Sequence, residues 1–247
     1  MRSIAIIPAR GNSKRVPGKN KRMIAGKPVV LWVMLAALES GVFDEIILTS
    51  EDDEILDLAP VGVRVWKRSA ELSGDEVSAD DPAVDVVQKM NRYYRGDTAV
   101  CLLTACVPTT TAELVQATAE VYERERPSKL VMLKLADHPH HMAVPLDNDD
   151  PTRGLRRFTE FGAGEESNAL PRVYVPAGNL IWGSFADFRD ENPKLVGGNY
   201  SEDTYGYLVP DELAIDIDTP FDFKVAELLL NQRRASSALA YTGADPD

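Results

Sequence analysis

The sequence predicts an α/β fold in which helices flank a mainly parallel sheet. Over about the first 135 of its 247 residues, short apolar, β-rich runs alternate with helical segments, and this alternation is typical of parallel sheets. The first run, Ser3–Pro8, leads directly into a loop that contains two glycines. Because ligands in such sheets bind beyond the carboxyl ends of the strands, we expect a functional site at that loop.

Local signals support each element of this alternation. The first helix is expected at 28–39, because Pro28 suits a first turn and Gly41 suits a helix end. By apolar spacing, strands are expected at 44–50, 63–66, 99–104 and 129–135, and helices at 52–59, 82–94 and 111–126.

The alternation stops at about residue 136. The stretch 136–200 is rich in Pro, Gly, Asn and Asp and contains all three histidines, so we expect an inserted arm of hairpins and loops within a single domain covering 1–247. Regular structure is expected again at 205–208 and 213–217. A last helix should begin at Thr219, where a capping-box pattern stands, and the chain after about residue 234 should fray.

Composition narrows the class of protein. The net charge of −12 disfavours a general nucleic-acid binder. No apolar run approaches the roughly 18 residues of a membrane span, and the first apolar stretch, at 4–7, is too short for a signal peptide, so we expect a cytoplasmic protein with no membrane partner. The two cysteines, Cys101 and Cys106, lack metal-ligand spacing and are expected to be reduced thiols.

Positive charge is concentrated in the loop after the first strand. The segment 10–22 reads RGNSKRVPGKNKR and contains no acidic residue. Its glycines, Gly11 and Gly18, allow the backbone to approach a ligand closely, and the loop matches neither G-x-x-x-x-G-K-[ST] nor G-x-G-x-x-G. These features favour a polyphosphate site, although a basic surface for an acidic partner or nucleic acid stays an alternative. The six cations are Arg10, Lys14, Arg15, Lys19, Lys21 and Arg22, and the neutral hydrogen-bonding residues are Asn12, Ser13 and Asn20.

Residues 6–20, IIPARGNSKRVPGKN, closely resemble the opening motif of the CMP-sugar-acid synthetases. These are the acylneuraminate cytidylyltransferases and their bacterial relatives for pseudaminic and legionaminic acids. Shorter matches follow in the family's order and extend the resemblance over about 1–130 and 204–232. They are GKP at 26–28, FDEIILTS at 43–50, RSAELSGD at 68–75 and DIDT at 216–219.

The resemblance implies a Rossmann-like fold of the nucleotide-diphospho-sugar transferase type, with a small dimerisation arm. It implies transfer of CMP from CTP to the anomeric hydroxyl of a nonulosonic acid, with release of pyrophosphate, by a homodimer. By this resemblance Lys19, Arg10 and Asp216 act in catalysis. The nucleotide contacts that it implies are Ala9, Arg10, Gly11, Asn12, Ser13, Lys14, Lys19, Asn20, Arg68, Asp75 and Thr104.

Asp216 and Asp218 lie two residues apart in an apolar, strand-like run, so their carboxylates should point to the same side. Neighbouring carboxylates repel unless a cation lies between them. Mg²⁺ prefers one or two carboxylates together with phosphate oxygens, and the resemblance also implies a Mg²⁺ site at these two residues. A solvated strand end beside a helix cap is the alternative.

The sugar-contacting residues are less well indicated. His141 falls where sialic acid enzymes use a lysine, and Asn179 falls in a segment that resembles their Asn-Gly-x-x-Tyr. Arg172 precedes a strand-like run and is a candidate for pairing with the sugar carboxylate. The histidine group 138–141 also leaves a zinc site or a plain loop open.

Two other functions remain open from the sequence. One is a cytidylyltransferase for a different acidic acceptor, such as a 3-deoxy-octulosonate or a phosphonate. The other is a non-catalytic nucleotide-binding protein on the same fold. Binding of RNA is disfavoured by the overall acidity.

Overall fold

The computed structural model describes residues 1–74, 77, 80–136, 172–190 and 202–242, with side chains as far as residue 236. In these ranges seven strands form a mainly parallel sheet in the order β5-β4-β1-β6-β8-β7-β9, and a separate short hairpin joins β2 to β3. The strands are β1 (Ser3–Pro8), β2 (Met23–Ile24), β3 (Lys27–Pro28), β4 (Glu45–Ser50), β5 (Val63–Lys67), β6 (Ala99–Leu103), β7 (Lys129–Leu135), β8 (Tyr174–Ser184) and β9 (Thr204–Leu208).

Six α-helices accompany the strands in the described chain. Each of the first four lies within a few residues of its predicted position, although the helix predicted at 82–94 ends at Lys89. None of the described helices combines the length and apolarity needed to cross a bilayer. The helices are α1 (Val29–Ser40), α2 (Asp53–Leu56), α3 (Asp81–Lys89), α4 (Ala112–Glu125), α5 (Phe185–Arg189) and α6 (Pro220–Thr242).

Parallel pairing aligns the carboxyl ends of the strands at one edge. β1 pairs in parallel with both β4 and β6, and β7 pairs in parallel with β9. β8 is antiparallel to its neighbours β6 and β7. The ends of β1, β4, β6 and β7 therefore face the same way, and the loops after them meet at one edge of the sheet.

The two faces of the sheet are covered by different helices because strand side chains alternate. On one face, Ala5 and Ile7 of β1 belong to a buried cluster with residues of α1 and α4. On the other face, Ile4 and Ile6 belong to a cluster with residues of α3 and α5. A third cluster joins α6 to Val16 of the basic loop, so the last helix supports that loop from its side.

Part of the expected inserted arm belongs to the core of the sheet. Residues 174–184, which the sequence analysis interpreted as hairpin and loop, form β8 between β6 and β7. A capping box at Ser184 and Asp187 then starts α5. The arm predicted at 136–200 is therefore wrong over 174–189. The segments 137–171 and 191–200 lie outside the described residues, so an arm built from them stays a prediction.

Two expectations for the last part of the chain are corrected. The run 213–217 is not a strand: a 3₁₀ turn at Asp211–Leu213 leads into irregular backbone. The chain after residue 234 stays helical, since α6 continues to Thr242. The capping box itself is confirmed, because the Asp222 N–H donates to Thr219 Oγ1 at 3.2 Å and Asp222 Oδ2 accepts the Thr219 N–H at 2.7 Å.

A substitution at Trp182 tests whether β8 belongs to the core of the sheet. Its indole is fully buried, stacks on Phe43 and Tyr122, and donates from Nε1 to Thr118 Oγ1 at 3.1 Å. We expect Trp182→Ala to lower the free energy of unfolding by about 3–5 kcal/mol, measured by urea denaturation. Tyr93→Ala is the control, since Tyr93 is 68% exposed. Equal midpoints for both variants would contradict the position of β8.

Candidate active site

The basic loop begins with its backbone fixed to the neighbouring strand. The Ala9 N–H donates to the Thr49 carbonyl at 2.9 Å, which continues the pairing of β1 with β4. Two residues later, the Gly11 N–H donates to Glu51 Oε1 at 2.6 Å. The Ala9 amide hydrogen is therefore already used, and a backbone hydrogen bond between Ala9 and a nucleotide would have to be accepted by the Ala9 carbonyl oxygen.

Glu51 is the centre of the network beneath the loop. Its Oε2 accepts from Arg68 Nη2 at 3.0 Å and from Ser73 Oγ at 2.6 Å. The Arg68 guanidinium is buried and also donates from Nη1 to the Thr49 carbonyl at 3.2 Å. Arg68 thus supports the loop from below through Glu51, and its direct contact with a nucleotide stays a prediction.

The pKa of Glu51 reflects these contacts. Burial alone would raise the pKa, but hydrogen bonds from Ser73 and the Gly11 amide, together with the Arg68 charge, lower it below its ordinary value. The pKa of Arg68 is itself lowered by burial, which its attraction to Glu51 offsets in part. Glu51 is therefore held as a carboxylate, and the buried ion pair stays charged.

Gly11 is required because the loop passes close to α2. A Cβ at Gly11 would lie 2.4 Å from Oδ2 of Asp52. The same carboxylate pairs with Lys21 Nζ at 2.8 Å, so both ends of the loop are joined to the start of α2. Asn20 closes the loop from inside, since its Nδ2 donates to the Arg10 carbonyl at 2.9 Å. Lys21 is thus used to hold the loop rather than to extend into the site.

Lys19 brings the basic loop to the paired aspartates. Its side chain is about nine-tenths buried. The ammonium donates to the Ile217 carbonyl at 2.7 Å and lies 3.4 Å from Asp218 Oδ1. The Arg15 guanidinium approaches the same carboxylate oxygen at 2.8 Å. The cationic loop and the acidic segment therefore share one site, as the sequence analysis expected.

Asp216 is the more buried of the two carboxylates. The Cys106 thiol donates to its Oδ1 at 3.0 Å, and the Ile217 N–H donates to the Cys106 carbonyl at 3.0 Å. Burial raises the pKa of Asp216, and the Cys106 hydrogen bond and the Lys19 charge oppose that rise. A carboxylate in such surroundings is stabilised as an anion by a nearby cation. Sequence reasoning missed this role of Cys106, which it predicted only to be a reduced thiol.

A cavity lies on the other side of Asp216, at the edge of β8 and β7. Gly178 approaches Asp216 closely there: a Cβ at Gly178 would lie 3.5 Å from Asp216 Oδ2. Its φ of +76° is a conformation that glycine adopts without strain. The cavity also contains Lys134, which sequence reasoning missed. The available signal was a lysine near the carboxyl end of an apolar strand. The lining residues are Lys134, Pro176, Ala177, Gly178, Ala214, Ile215, Asp216 and Asp222.

The remaining predicted residues are divided between the site and the core. Thr104 directly follows β6 at the same edge, and Arg172 is exposed just before β8. Asn179 is a correction: its side chain is fully buried, and its Nδ2 donates to Thr110 Oγ1 at 3.0 Å and to the Leu213 carbonyl. It holds the segment before Asp216 and does not face the cavity.

Within the basic loop, the side chains of Asn12 and Lys14 are exposed, and that of Ser13 is partly exposed.

Two of the predicted contacts, Asp75 and His141, lie outside the described residues, as do the other two histidines. Within the described ranges, no three His, Cys, Asp or Glu side chains come together in a group that could hold a metal ion. Asp216 and Asp218 thus offer two carboxylates to a metal ion, and the described residues do not complete its coordination. This donor set fits a hard cation that completes its coordination with phosphate oxygens and water, as Mg²⁺ commonly does.

Comparison with known proteins shows which family the chain resembles along its length. A family model described as "Cytidylyltransferase" matches residues 4–149. Pseudaminic acid cytidylyltransferase of Campylobacter jejuni (strain 81-176) is 29% identical and covers 96% of this chain and 100% of that protein. The CMP-N,N'-diacetyllegionaminic acid synthase of Legionella pneumophila is 26% identical over 93% and 97% of the two chains. N-acylneuraminate cytidylyltransferase A of Danio rerio is 28% identical over 90% of this chain and 49% of that protein.

Solved structures share the fold at lower sequence identity. CMP:2-keto-3-deoxy-manno-octonic acid synthetase in complex with CTP superposes with a TM-score of 0.66 at 17% identity, covering 94% of this chain and 100% of the other. For 4-diphosphocytidyl-2C-methyl-D-erythritol synthase the TM-score is 0.62 at 15% identity, with coverage of 93% and 98%. These matches confirm the predicted sheet flanked by helices.

The Glu51 network yields a pH-dependent prediction. We expect Glu51→Gln to lower the free energy of unfolding by about 3 kcal/mol near neutral pH, because it leaves the buried Arg68 charge uncompensated. Since the folded-state pKa of Glu51 is depressed, its contribution is present above the unfolded-state pKa and is lost as pH falls through the folded-state pKa. Urea denaturation of both proteins should therefore show a difference that shrinks in acid.

The matched control for this prediction is Glu39→Gln, at an exposed position on α1. It should leave the unfolding midpoint unchanged at every pH. A Glu51→Gln deficit that stays constant from neutral to strongly acidic pH would show that the carboxylate charge is not what stabilises the loop.

Proposed function

The chain belongs to the cytidylyltransferase family, and from this premise we propose that it transfers CMP from CTP to a nonulosonic, sialic-type sugar acid. The product is a CMP-sugar, and pyrophosphate is released. One observation carries the proposal: the cationic loop after β1 meets Asp216 and Asp218 at the carboxyl edge of the sheet, with Lys19 between them. The names of the Campylobacter, Legionella and Danio relatives support the acceptor class.

The basic loop would hold the triphosphate. A triphosphate carries about four negative charges, and the loop is a local excess of positive charge in a protein of net charge −12. Lys19 is fixed by its bond to the Ile217 carbonyl. It therefore needs little rearrangement when charge develops on the departing pyrophosphate. Arg10 and Lys14 would contact the phosphates from the remainder of the loop.

Asp216 and Asp218 would hold Mg²⁺. The two carboxylates would keep the ion beside the triphosphate, where its chemistry would be charge neutralisation of the phosphates and activation of the attacking hydroxyl. Asp216 Oδ1 is occupied by the Cys106 thiol, so Oδ2 is the oxygen left to face the cavity. If Asp218 binds the metal, its ion pair with Arg15 would weaken. The Arg15 guanidinium could then pair with a phosphate instead.

The reaction is a displacement at the α-phosphorus of CTP. The anomeric oxygen of the sugar acid forms a bond to the α-phosphorus, the bond from that phosphorus to the α–β bridging oxygen breaks so that pyrophosphate leaves, and the hydroxyl proton passes to solvent water. Lys19 and Arg10 would stabilise the negative charge on the departing pyrophosphate. Positioning of the two substrates on either side of Asp216 would supply much of the rate.

A panel of acceptors tests this function. With CTP and Mg²⁺, we expect pyrophosphate release and a CMP-sugar, detected by mass, with sialic, pseudaminic or legionaminic acid. Asp216→Asn together with Asp218→Asn should lower turnover by at least about a hundredfold, because the metal loses its carboxylates. Asp57→Asn, at an exposed position after α2, is the matched control and should retain full activity.

Other outcomes of the same panel identify the alternatives. Turnover with a 3-deoxy-octulosonate or a phosphonate, and none with nonulosonic acids, would place the chain with a different acceptor. Binding of CTP that survives the double substitution, with no turnover by the wild-type protein on any acceptor, would indicate a non-catalytic nucleotide-binding protein.

A homodimer is part of the proposal. Large apolar side chains are exposed at the β9 end of the sheet, including Leu208 at 58%, and an interface there would cover them. Light scattering should give twice the chain mass of 27.2 kDa. Leu208→Glu should shift the mass toward the monomer, whereas Leu228→Glu, on the exposed side of α6, should not. A monomeric wild-type protein would contradict this proposal.

The expected cytoplasmic location stays a prediction.

A further inference from the structure

The cavity beside Asp216 contains a lysine that the nucleotide chemistry does not use. We propose that Lys134 binds the carboxylate of the acceptor sugar acid and so selects acidic sugars over neutral ones. This inference rests on the proposed function, and it assigns a role to a residue that no sequence motif indicated.

The charges in the cavity point to Lys134 as its anion-binding group. Of the described residues that line the cavity, Lys134 is the one cation, and the acids are Asp216 and Asp222. Asp222 holds the start of α6, because its Oδ2 accepts the Asp218 N–H, the Thr219 N–H and the Thr219 hydroxyl. Among the described lining residues, the group that can attract an anion is therefore the Lys134 ammonium.

Lys134 is held in place at its backbone. It lies near the carboxyl end of β7 and pairs with Val175 of β8, so its Cα belongs to a regular ladder. Its side chain is partly buried and makes no hydrogen bond or ion pair with the residues that the structure describes. A partly desolvated ammonium on a fixed strand is a suitable partner for a carboxylate.

Strand order places Lys134 on the acceptor side of the reaction centre. The basic loop follows β1, and Asp216 contacts Cys106 after β6 and lies next to Gly178 of β8. Lys134 is on β7, three strands from β1 in the order β1-β6-β8-β7. At the usual spacing between neighbouring strands, β7 lies roughly 14 Å from β1. A triphosphate over β1 and β6 would therefore leave the space over β8 and β7 to the acceptor.

The chemistry of the acceptor matches this arrangement. In a 2-keto sugar acid, the anomeric carbon carries both the attacking hydroxyl and the carboxylate. When the hydroxyl approaches the α-phosphate beside Asp216, the carboxylate must lie within one carbon of it. A cation on the far side of Asp216 from the triphosphate can pair with that carboxylate without competing for phosphate oxygens. The carboxylate would also be kept from repelling the triphosphate.

The test compares Lys134→Met with wild-type enzyme on two forms of the acceptor. The forms are the sugar acid that the panel identifies and its uncharged carboxamide. In the wild type, the acid should exceed the carboxamide in kcat/KM by about tenfold to a hundredfold, the range for one charge-assisted hydrogen bond. Lys134→Met should remove most of that preference by raising KM for the acid, with KM for CTP nearly unchanged. Lys134→Arg should restore part of it.

Lys224→Met is the matched control, since Lys224 lies on the exposed side of α6 and outside the cavity lining. An unchanged acid-to-carboxamide ratio in Lys134→Met would overturn the inference while leaving the proposed function intact. A rise in KM for CTP alone would show that Lys134 serves the nucleotide instead, which also overturns it. Absence of wild-type turnover on every acceptor would instead count against the proposed function itself.

Discussion

The site depends on one buried contact, between the ammonium of Lys19 and the chain at Ile217 and Asp218. It joins residues 198 positions apart in sequence, the loop after the first strand and the segment before the last helix. An ammonium nine-tenths buried is costly unless it is paired and hydrogen-bonded, and here one carbonyl and one carboxylate meet that need. Because the partner carboxylate is Asp218, the contact that stabilises the loop also places the acidic segment at the carboxyl edge of the sheet.

The basic loop is held from below by a second set of charges that do not face the site. Glu51 connects the Gly11 amide to the Arg68 guanidinium, and Lys21 pairs with Asp52 at the start of α2. Of the six loop cations, Lys21 is thereby committed to the fold, and Arg22 stacks over Phe223 of α6. Composition alone therefore overstates how many cations are available to a triphosphate. The loop is shaped by some of its charges so that others can face the ligand.

The sequence predicted the parallel part of the fold and the position of the basic loop at its carboxyl edge, because both have local signals. Strands such as β1 are short apolar runs, and the cations of the loop are contiguous. β8 was missed because its sequence, YVPAGNLIWGS, contains Pro, Gly and Asn, and its strand conformation is set by pairing with β6 and β7. The contacts of Cys106 and Asn179 were missed for the same reason, since each joins distant segments. Asp218 does lie beside Lys19 of the basic loop, although its segment is not a strand, and the metal role of Asp216 and Asp218 stays a prediction.

These errors fall on the part of the site where the acceptor would bind. The proposed nucleotide side lies at the ends of β4, β1 and β6, which are adjacent parallel strands of the sheet. The proposed acceptor side lies at β8 and β7, where an antiparallel strand brings Gly178 against Asp216 and Lys134 lines the same cavity. Under the proposed function, the phosphate contacts come from one loop motif, whereas the acceptor cavity is assembled from β7, β8, the segment 214–216 and the start of α6. Selection of the sugar would then depend on tertiary contacts, and the nucleotide chemistry on a local motif.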